Sequence, residues 1–336
     1  MVENRPLPLE EMVGLFLLEM RKRAEAHFQR EADAVVIGRP ARYSLDPEAD
    51  KFAEYRMRKA AEFAGFHNVT FVAEPLAAAY EFRKTIRSEK IILVADFGGG
   101  TSDFTIVHLN TDDMRREDVL AVDGINVAGD ALDGAIMTHK VAPYFGSNVR
   151  YRVPMSDNIL KMPPAIHLRL CQPAHIVHLQ EPQTFNFLKN AQSWATGKED
   201  KKCLERLFVL IEDQQIFSLF EAIERSKRGL SDSEMTTFSF MYPTLEIEES
   251  FSRIQFGQWI ESSTQLINEA LERTLTQANL QANDIDLVCS TGGTAKVFHL
   301  QHLLINRFGR EKMQSGAFFH SVLHGLVEMA HRLAKT

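Results

Sequence analysis

Asp96, three consecutive glycines, Thr101 and Asp103 stand between two apolar runs in IILVADFGGGTSDFTIVHL, residues 91–109. Each run has strand length, so the stretch reads as a hairpin around a glycine turn. Gly98, Gly99 and Gly100 lack a Cβ, which lets backbone N–H groups approach a bulky anion. Successive free N–H groups in such a turn form a nest for phosphate oxygens. Asp96 ends the first strand, where a carboxylate is placed to hold hydrated Mg²⁺. A plain turn with two solvated aspartates would not need three glycines flanked by Asp and Thr-Ser-Asp.

Five further clusters carry chemistry or its imitation. Glu74-Pro75 leads into Leu76, three alanines and Tyr80. Pro75 suits the first turn of a helix, and Glu74 alone reads as an acid favoured by the helix N-terminus. Asn126 to Asp133 opens another helix, with Gly129 and Asp130 at its start; Asp130 reads the same way. Glu224, Lys227, Arg228 and Ser231 fall at i, i+3, i+4 and i+7, so they share one helix face. By themselves they describe a solvated face with an ion pair. Thr291-Gly292-Gly293-Thr294-Ala295-Lys296 turns a strand into a helix, and its glycines let a flat ligand reach the backbone. His167, Cys171, His175 and His178 also lie close together. Pro173 breaks their periodicity and no second Cys or His pair follows, so a tetrahedral zinc site is not expected.

The elements that must position these residues alternate between helix and strand. Residues 9–29 form an amphipathic helix with Met12, Leu15, Phe16 and Met20 on one face. Strands are expected at 34–37, 69–73, 91–95, 104–109, 118–123, 235–241 and 285–289. Helices are expected at 50–65, closed by Gly65, at 76–83, from 126 to about 145, and at 203–230 in two pieces. Further helices are expected at 251–278, 294–308 and 320–333. Five prolines break residues 146–200 into short pieces. The fold class is α/β.

Length and composition narrow the function. With 336 residues, 45% of them hydrophobic, the chain can bury a bilobal core. The net charge of −7 and pI near 6.0 argue against a nucleic-acid surface. Three widely spaced cysteines suit a reducing cytoplasm without disulfides. The acidic N-terminus with its short apolar run at 13–18 is neither a signal peptide nor a membrane span.

Together the motifs resemble the 70-kDa heat-shock chaperones, DnaK-type, of the actin-like ATPase superfamily. D-F-G-G-G-T-x-D resembles that family's second phosphate loop. E-P-x-A-A-A at 74–79 resembles the segment joining its two lobes, where the glutamate borders Mg²⁺ and the attacking water. N-V-A-G-D-A-L-D at 126–133 resembles L-G-G-x-D-F-D, matching at Gly129 and Asp130. E-R-x-K-R-x-L-S at 224–231 matches the adenosine-contacting helix; the resemblance puts Glu224 and Lys227 at the ribose and Arg228 and Ser231 at the adenine. The 291–296 turn resembles the V-G-G-x-x-R adenosine loop, with Lys296 replacing an arginine that stacks better. Phe318, Phe319 and His320 stand where the family has an acidic pair. Residues 146–200 match more weakly, closest to the short YegD-like bacterial relatives.

The resemblance implies an actin-like ATPase fold, ribonuclease H-like mixed sheets with flanking helices. It places a partial first lobe at 1–80 and the second lobe at 81–336, with a helical subdomain at 134–235. It implies ATP or ADP with Mg²⁺ as ligand, Glu74 and Asp96 as catalytic residues, and Asp96 as the metal ligand. Gly98, Gly99, Gly100, Thr101, Asp103, Gly129, Asp130, Gly292, Gly293 and Thr294 would line the nucleotide. The family's D-x-G-T-T phosphate loop and catalytic lysine have no counterpart in these residues, nor has its peptide-binding β-domain. Weak or absent hydrolysis is therefore expected, with self-association through an incomplete first lobe. A protein client or co-chaperone is the expected macromolecular partner. The alternative is a non-catalytic nucleotide-sensing or partner-binding module.

Overall fold

The structure is a computed structural model that describes residues 7–40, 42–44, 46–77, 88–109, 118–173, 175–314 and 318–334. Its first unit is helix–strand–helix–strand: α1 (Leu9–Phe28), β1 (Ala34–Arg39), α2 (Pro47–Phe63) and β2 (Asn68–Ala73). β1 and β2 pair in parallel, Ala34 opposite Asn68, as a two-stranded sheet. α2 begins three residues before the expected Asp50, because the Asp46 carboxylate accepts from the Glu48 and Ala49 N–H groups and Pro47 takes the first turn. Gly65 follows its end at φ +86°, the left-handed conformation expected there.

Met12, Leu15, Phe16 and Met20, grouped on one face of α1 from the sequence, are exposed. The helix is apolar on two sides, and the close approach is made at Gly14. A Cβ there would come within 2.6 Å of the Phe63 ring and 3.0 Å of the Ala60 carbonyl. Leu17 and Leu18 therefore pack with Ile37, Ala61, Ala64 and Phe66, and the opposite stripe faces outward.

The larger sheet carries the glycine turn. β3 (Lys90–Phe97) and β4 (Ser102–Leu109) pair antiparallel, with Asp96 opposite Asp103. β5 (Val119–Ile125) continues the meander, with a register shift at Ile106/Val107. β3 and β4 are buried on both faces, which is why they read as near-continuous apolar runs. Leu93, Ala95, Phe97, Phe104 and Ile106 join the main core, while Ile92, Val94, Val107 and Leu109 pack with Cys289.

Helix α3 (Gly129–Ile136) leaves β5 and passes into a π-helical turn, Met137–Val141, then a 3-10 turn, Ala142–Phe145. The expected long helix is thus three helical types in series. Residues 146–200 are short pieces as expected: hairpin β6 (Arg150–Arg152) and β7 (Ile159–Lys161), α4 (Pro164–Cys171) and α5 (Pro182–Trp194). Prolines open both helices. α6 (Lys198–Glu212) and α7 (Ile216–Asp232) follow.

Residues 235–277 differ from the sequence reading in two ways. β8 (Met235–Tyr242) is joined to an unexpected strand, β9 (Leu245–Ser252), with which it pairs antiparallel. The expected helix 251–278 is two, α8 (Arg253–Trp259) and α9 (Glu261–Gln277), parted at Ile260. A capping box between Ser252 and Gln255 starts α8 and ends β9. β10 (Leu287–Thr291) then joins β3 in parallel, with Thr291 opposite Asp96. α10 (Phe298–Phe308) leads to β11 (Met313–Gln314), giving a sheet ordered β11-β10-β3-β4-β5.

α11 (Phe318–Leu333) packs on both β1 and β10, linking the two sheets. At Gly325 it lies against the Ala77 carbonyl, where a Cβ would sit only 1.9 Å away. The expected helix 76–83 is described at 74–77; residues 78–83 lie outside the described residues, as do the side chains of Phe318, Phe319 and His320. All three cysteines are free. Among the described residues no helix is long and apolar enough to cross a membrane, and no group of His, Cys, Asp and Glu could hold a metal by itself.

Candidate functional site

The glycine turn is fixed from below and left open above. Gly98 N–H donates to the Thr101 carbonyl at 2.9 Å, closing the turn between β3 and β4. The Gly98 carbonyl accepts from Gly129 N–H at 3.2 Å and from the Thr294 hydroxyl at 2.8 Å. The Gly99 carbonyl accepts from Asp130 N–H at 2.7 Å. The N-terminus of α3 and the turn ahead of α10 thus grip the carbonyl side of the loop. Among the described residues the N–H groups of Gly99 and Gly100 donate to no protein acceptor. That is the arrangement of an anion nest.

The glycines divide by what a side chain would meet. A Cβ on Gly292 would lie 2.1 Å from the Phe97 carbonyl and 2.9 Å from Asp96 Oδ1, and its φ is +88°. A Cβ on Gly129 would lie 2.6 Å from Thr294 Oγ1. Packing alone explains these two. Gly98 and Gly99 would make only ordinary contacts, nearest at 3.4 Å, Gly100 would have one neighbour, at 4.0 Å, and Gly293 would have none within 4 Å. Protein packing does not require glycine at those four positions; an empty approach to the backbone does.

A cavity of about 1030 Å³ opens above this floor. It gathers Gly98, Gly99, Gly129, Asp130, Gly293, Thr294 and Lys296 with Glu224, Lys227, Arg228 and Ser231 on the facing side of α7. Residues from four separate stretches of sequence therefore meet at one cleft. Glu224 and Arg228 form an exposed i,i+4 ion pair. Lys227 is 5% exposed, and its ammonium lies 2.9 Å from the Asp133 carboxylate and 3.4 Å from the Gly129 carbonyl. The side chain of Asp130 stays exposed, so its N–H rather than its carboxylate fixes the turn.

Glu74, Asp96 and Asp103 do not line this cavity; they form a second cluster beside the turn. Burial and then the neighbouring Glu74 and Asp103 push the Asp96 carboxyl up to about 6. Burial and Asp103 raise Glu74. Burial raises Asp103 too, against a 2.8 Å hydrogen bond from the Thr101 hydroxyl. Among the described residues no cationic side chain offsets any of the three. A divalent cation bound beside them would reverse these shifts.

Several other cleft residues escaped the sequence reading, among them Asp133, Phe217, Phe220 and Pro173. Asp133 had the motif but no assigned partner. Phe217 and Phe220 precede Glu224 by seven and four residues, so the same helical period places them on the cleft face. Pro173 reaches the rim from a region where its neighbours suggested only a break.

Comparison with known proteins agrees with this architecture. The chain matches the family described as Hsp70 protein over residues 2–158 and 205–317, well over half its length. It is 23% identical over 327 residues to the chaperone protein DnaK of Deinococcus radiodurans, covering 94% of this chain and 41% of that protein. It is 25% identical over 319 residues to the chaperone protein DnaK of Thermosipho melanesiensis, covering 92% and 42%. The chain thus spans about two-fifths of the length of these relatives. Its mixed sheets, flanking helices and family match make it a chaperone-type domain of actin-like ATPase fold, and the chain belongs to the Hsp70 family.

Proposed function

We propose that this chain is a nucleotide-binding domain that takes ATP or ADP with Mg²⁺ in the cleft between the glycine turn and α7. The observation that carries the reading is the open floor at Gly98–Gly100, with the Gly99 and Gly100 N–H groups unengaged among the described residues, facing a polar helix side across the cleft. Gly98 to Thr101 hold the β- and γ-phosphates, with the Gly99 and Gly100 N–H groups donating to them. Gly292, Gly293 and Thr294 form the opposite lip, and Glu224, Arg228, Ser231 and Lys296 receive the adenosine. Bound Mg²⁺ would supply the charge that offsets the carboxylates and the phosphates. Asp96 is its ligand, Glu74 orients water, and Asp103 supports Thr101. The two sheets are read as parts of a first lobe through residue 80 and a second lobe from 81, with residues 134–235 as its helical subdomain. A reducing cytoplasm suits the free cysteines.

Hydrolysis is slow in this reading. Transition-state charge on a transferring phosphoryl group needs preorganised cations, and losing one such contact costs about 10²–10³ in rate. Among the described residues the carboxylate cluster has no cationic side chain beside it. Retention of labelled ATP and ADP in equilibrium dialysis, together with single-turnover hydrolysis, tests this. Mg²⁺-dependent retention with hydrolysis near background is expected. No retention of either nucleotide refutes the function, and fast turnover unchanged by Asp96→Ala refutes the assigned residues.

A second reading is favoured by the exposed stripe Met12, Leu15, Phe16 and Met20 on α1. An apolar helix face of this kind marks a protein contact. In that reading the domain senses nucleotide and docks a second copy or a partner chain, such as a co-chaperone or client, without turnover.

A further inference from the structure

Lysine is almost never fully buried unless it is paired, and Lys227 is the most buried cation of the cleft wall. The shared helix face of residues 224–231 suggests a side chain offered to the ligand. The structure gives its ammonium to Asp133 and to the Gly129 carbonyl. Both acceptors belong to α3, whose first two N–H groups hold the carbonyls of Gly98 and Gly99. The connection is continuous: α7, Lys227, Asp133 and Gly129, then the glycine turn. We infer that Lys227 is a positioning residue, a tie between α7 and the glycine turn that sets the width of the cleft, rather than a contact to the ligand.

Three features support a tie. The pair is buried on both sides, with the Lys227 and Asp133 side chains 6% and 12% exposed, so water does not screen it. It sits at a point where the chain can bend, because α3 passes into the π-helical turn at Met137, and such turns interrupt regular helix geometry. It also differs from the neighbouring Glu224–Arg228 pair, which is exposed and holds only its own helix. Asp133 is faced by Lys227 and Glu224 of α7 and by Asp130 of α3. Burial raises its carboxyl to about 6, opposed by Lys227 and reinforced by Glu224 and Asp130. The Asp133 carboxylate is therefore charged above that pH, and the tie slackens below it.

This inference rests on the proposed nucleotide reading only for its effect on affinity; the tie itself is readable without ligand. Hydrogen exchange should be followed on the free chain and on Asp133→Asn, Lys227→Met and Lys227→Met/Asp133→Leu, with Arg225→Ala as an exposed control. The double variant replaces the pair by apolar groups, which buried pairs generally tolerate, so it keeps the chain folded. Amides of Gly98 and of residues 129–133 are expected to exchange about tenfold faster or more in all three variants and unchanged in the control. In the parent chain the same amides should lose protection, beyond the intrinsic pH effect, between pH 7 and 5, and not in Asp133→Asn. ADP affinity should fall by a similar factor in each single variant, and the double should be no worse than either. Unchanged exchange overturns the tie. So does an Asp133→Asn variant that binds ADP as well as the parent while Lys227→Met does not, because that result puts the freed ammonium on the ligand. Absence of ADP binding by the parent chain counts against the nucleotide reading alone, and the exchange comparison still decides the tie.

Discussion

Replacing Asp96 with asparagine removes charge from a carboxylate that the fold holds at an energetic disadvantage. Burial, Glu74 and Asp103 raise its carboxyl to about 6, against an ordinary 3.8. A shift of about two units at 1.36 kcal/mol each corresponds to ~3 kcal/mol. The folded carboxyl keeps its proton to higher pH than the unfolded one. Stability from this group is therefore lost as pH rises from about 4 to about 6, and the full penalty applies above that window. Asp96→Asn should stabilise the free chain by up to ~3 kcal/mol at pH 8 and by little at pH 4. Urea unfolding at both pH values measures the difference. Adding Mg²⁺ should raise the stability of the parent chain at pH 8 by mass action and leave the variant unmoved. An Asp96→Asn variant that is no more stable than the parent at pH 8, or that gains equally at both pH values, would refute the argument.

Other outcomes follow from the same geometry. Gly292→Ala should destabilise by several kcal/mol, because its φ of +88° and the Phe97 carbonyl 2.1 Å from the added Cβ leave no room. Gly293→Val, with nothing within 4 Å, should leave thermal stability nearly unchanged while obstructing nucleotide retention. Loss of stability at Gly293 as large as at Gly292 would contradict that division. The chain should self-associate at high concentration through the outer stripe of α1, and Phe16→Glu should return it to monomer in light scattering. A monodisperse parent chain would remove the basis for that contact.

Most of the strand framework was legible because β3, β4 and β10 are strongly apolar and bounded by glycines. The order of helices and strands followed for the same reason. β9 was not legible: its alternation, LEIEESFS, is carried by glutamates on the outer face, and Pro243 obscures the turn before it. The break at Ile260 was hidden because apolar spacing runs through it, Phe256 and Ile260 being buried on the α8 side and Ile267 and Leu271 on the α9 side. Period alone did not show which side of α1 packs, since the decisive contact is a glycine with no side chain to count. At the cleft, spacing within α7 grouped Glu224, Lys227, Arg228 and Ser231 correctly on one side. It had no means of showing that Asp133, 94 residues earlier, engages Lys227. Pairings between distant segments depend on the fold and leave no local period.

Isothermal titration of the chain with ADP and with GDP, each with Mg²⁺, tests the central claim most directly. The account predicts saturable heat with ADP, a much weaker response with GDP, and loss of the ADP signal in Gly293→Val at unchanged stability. No heat with either nucleotide, or equal heats with both, would contradict an adenine-nucleotide site between the glycine turn and α7.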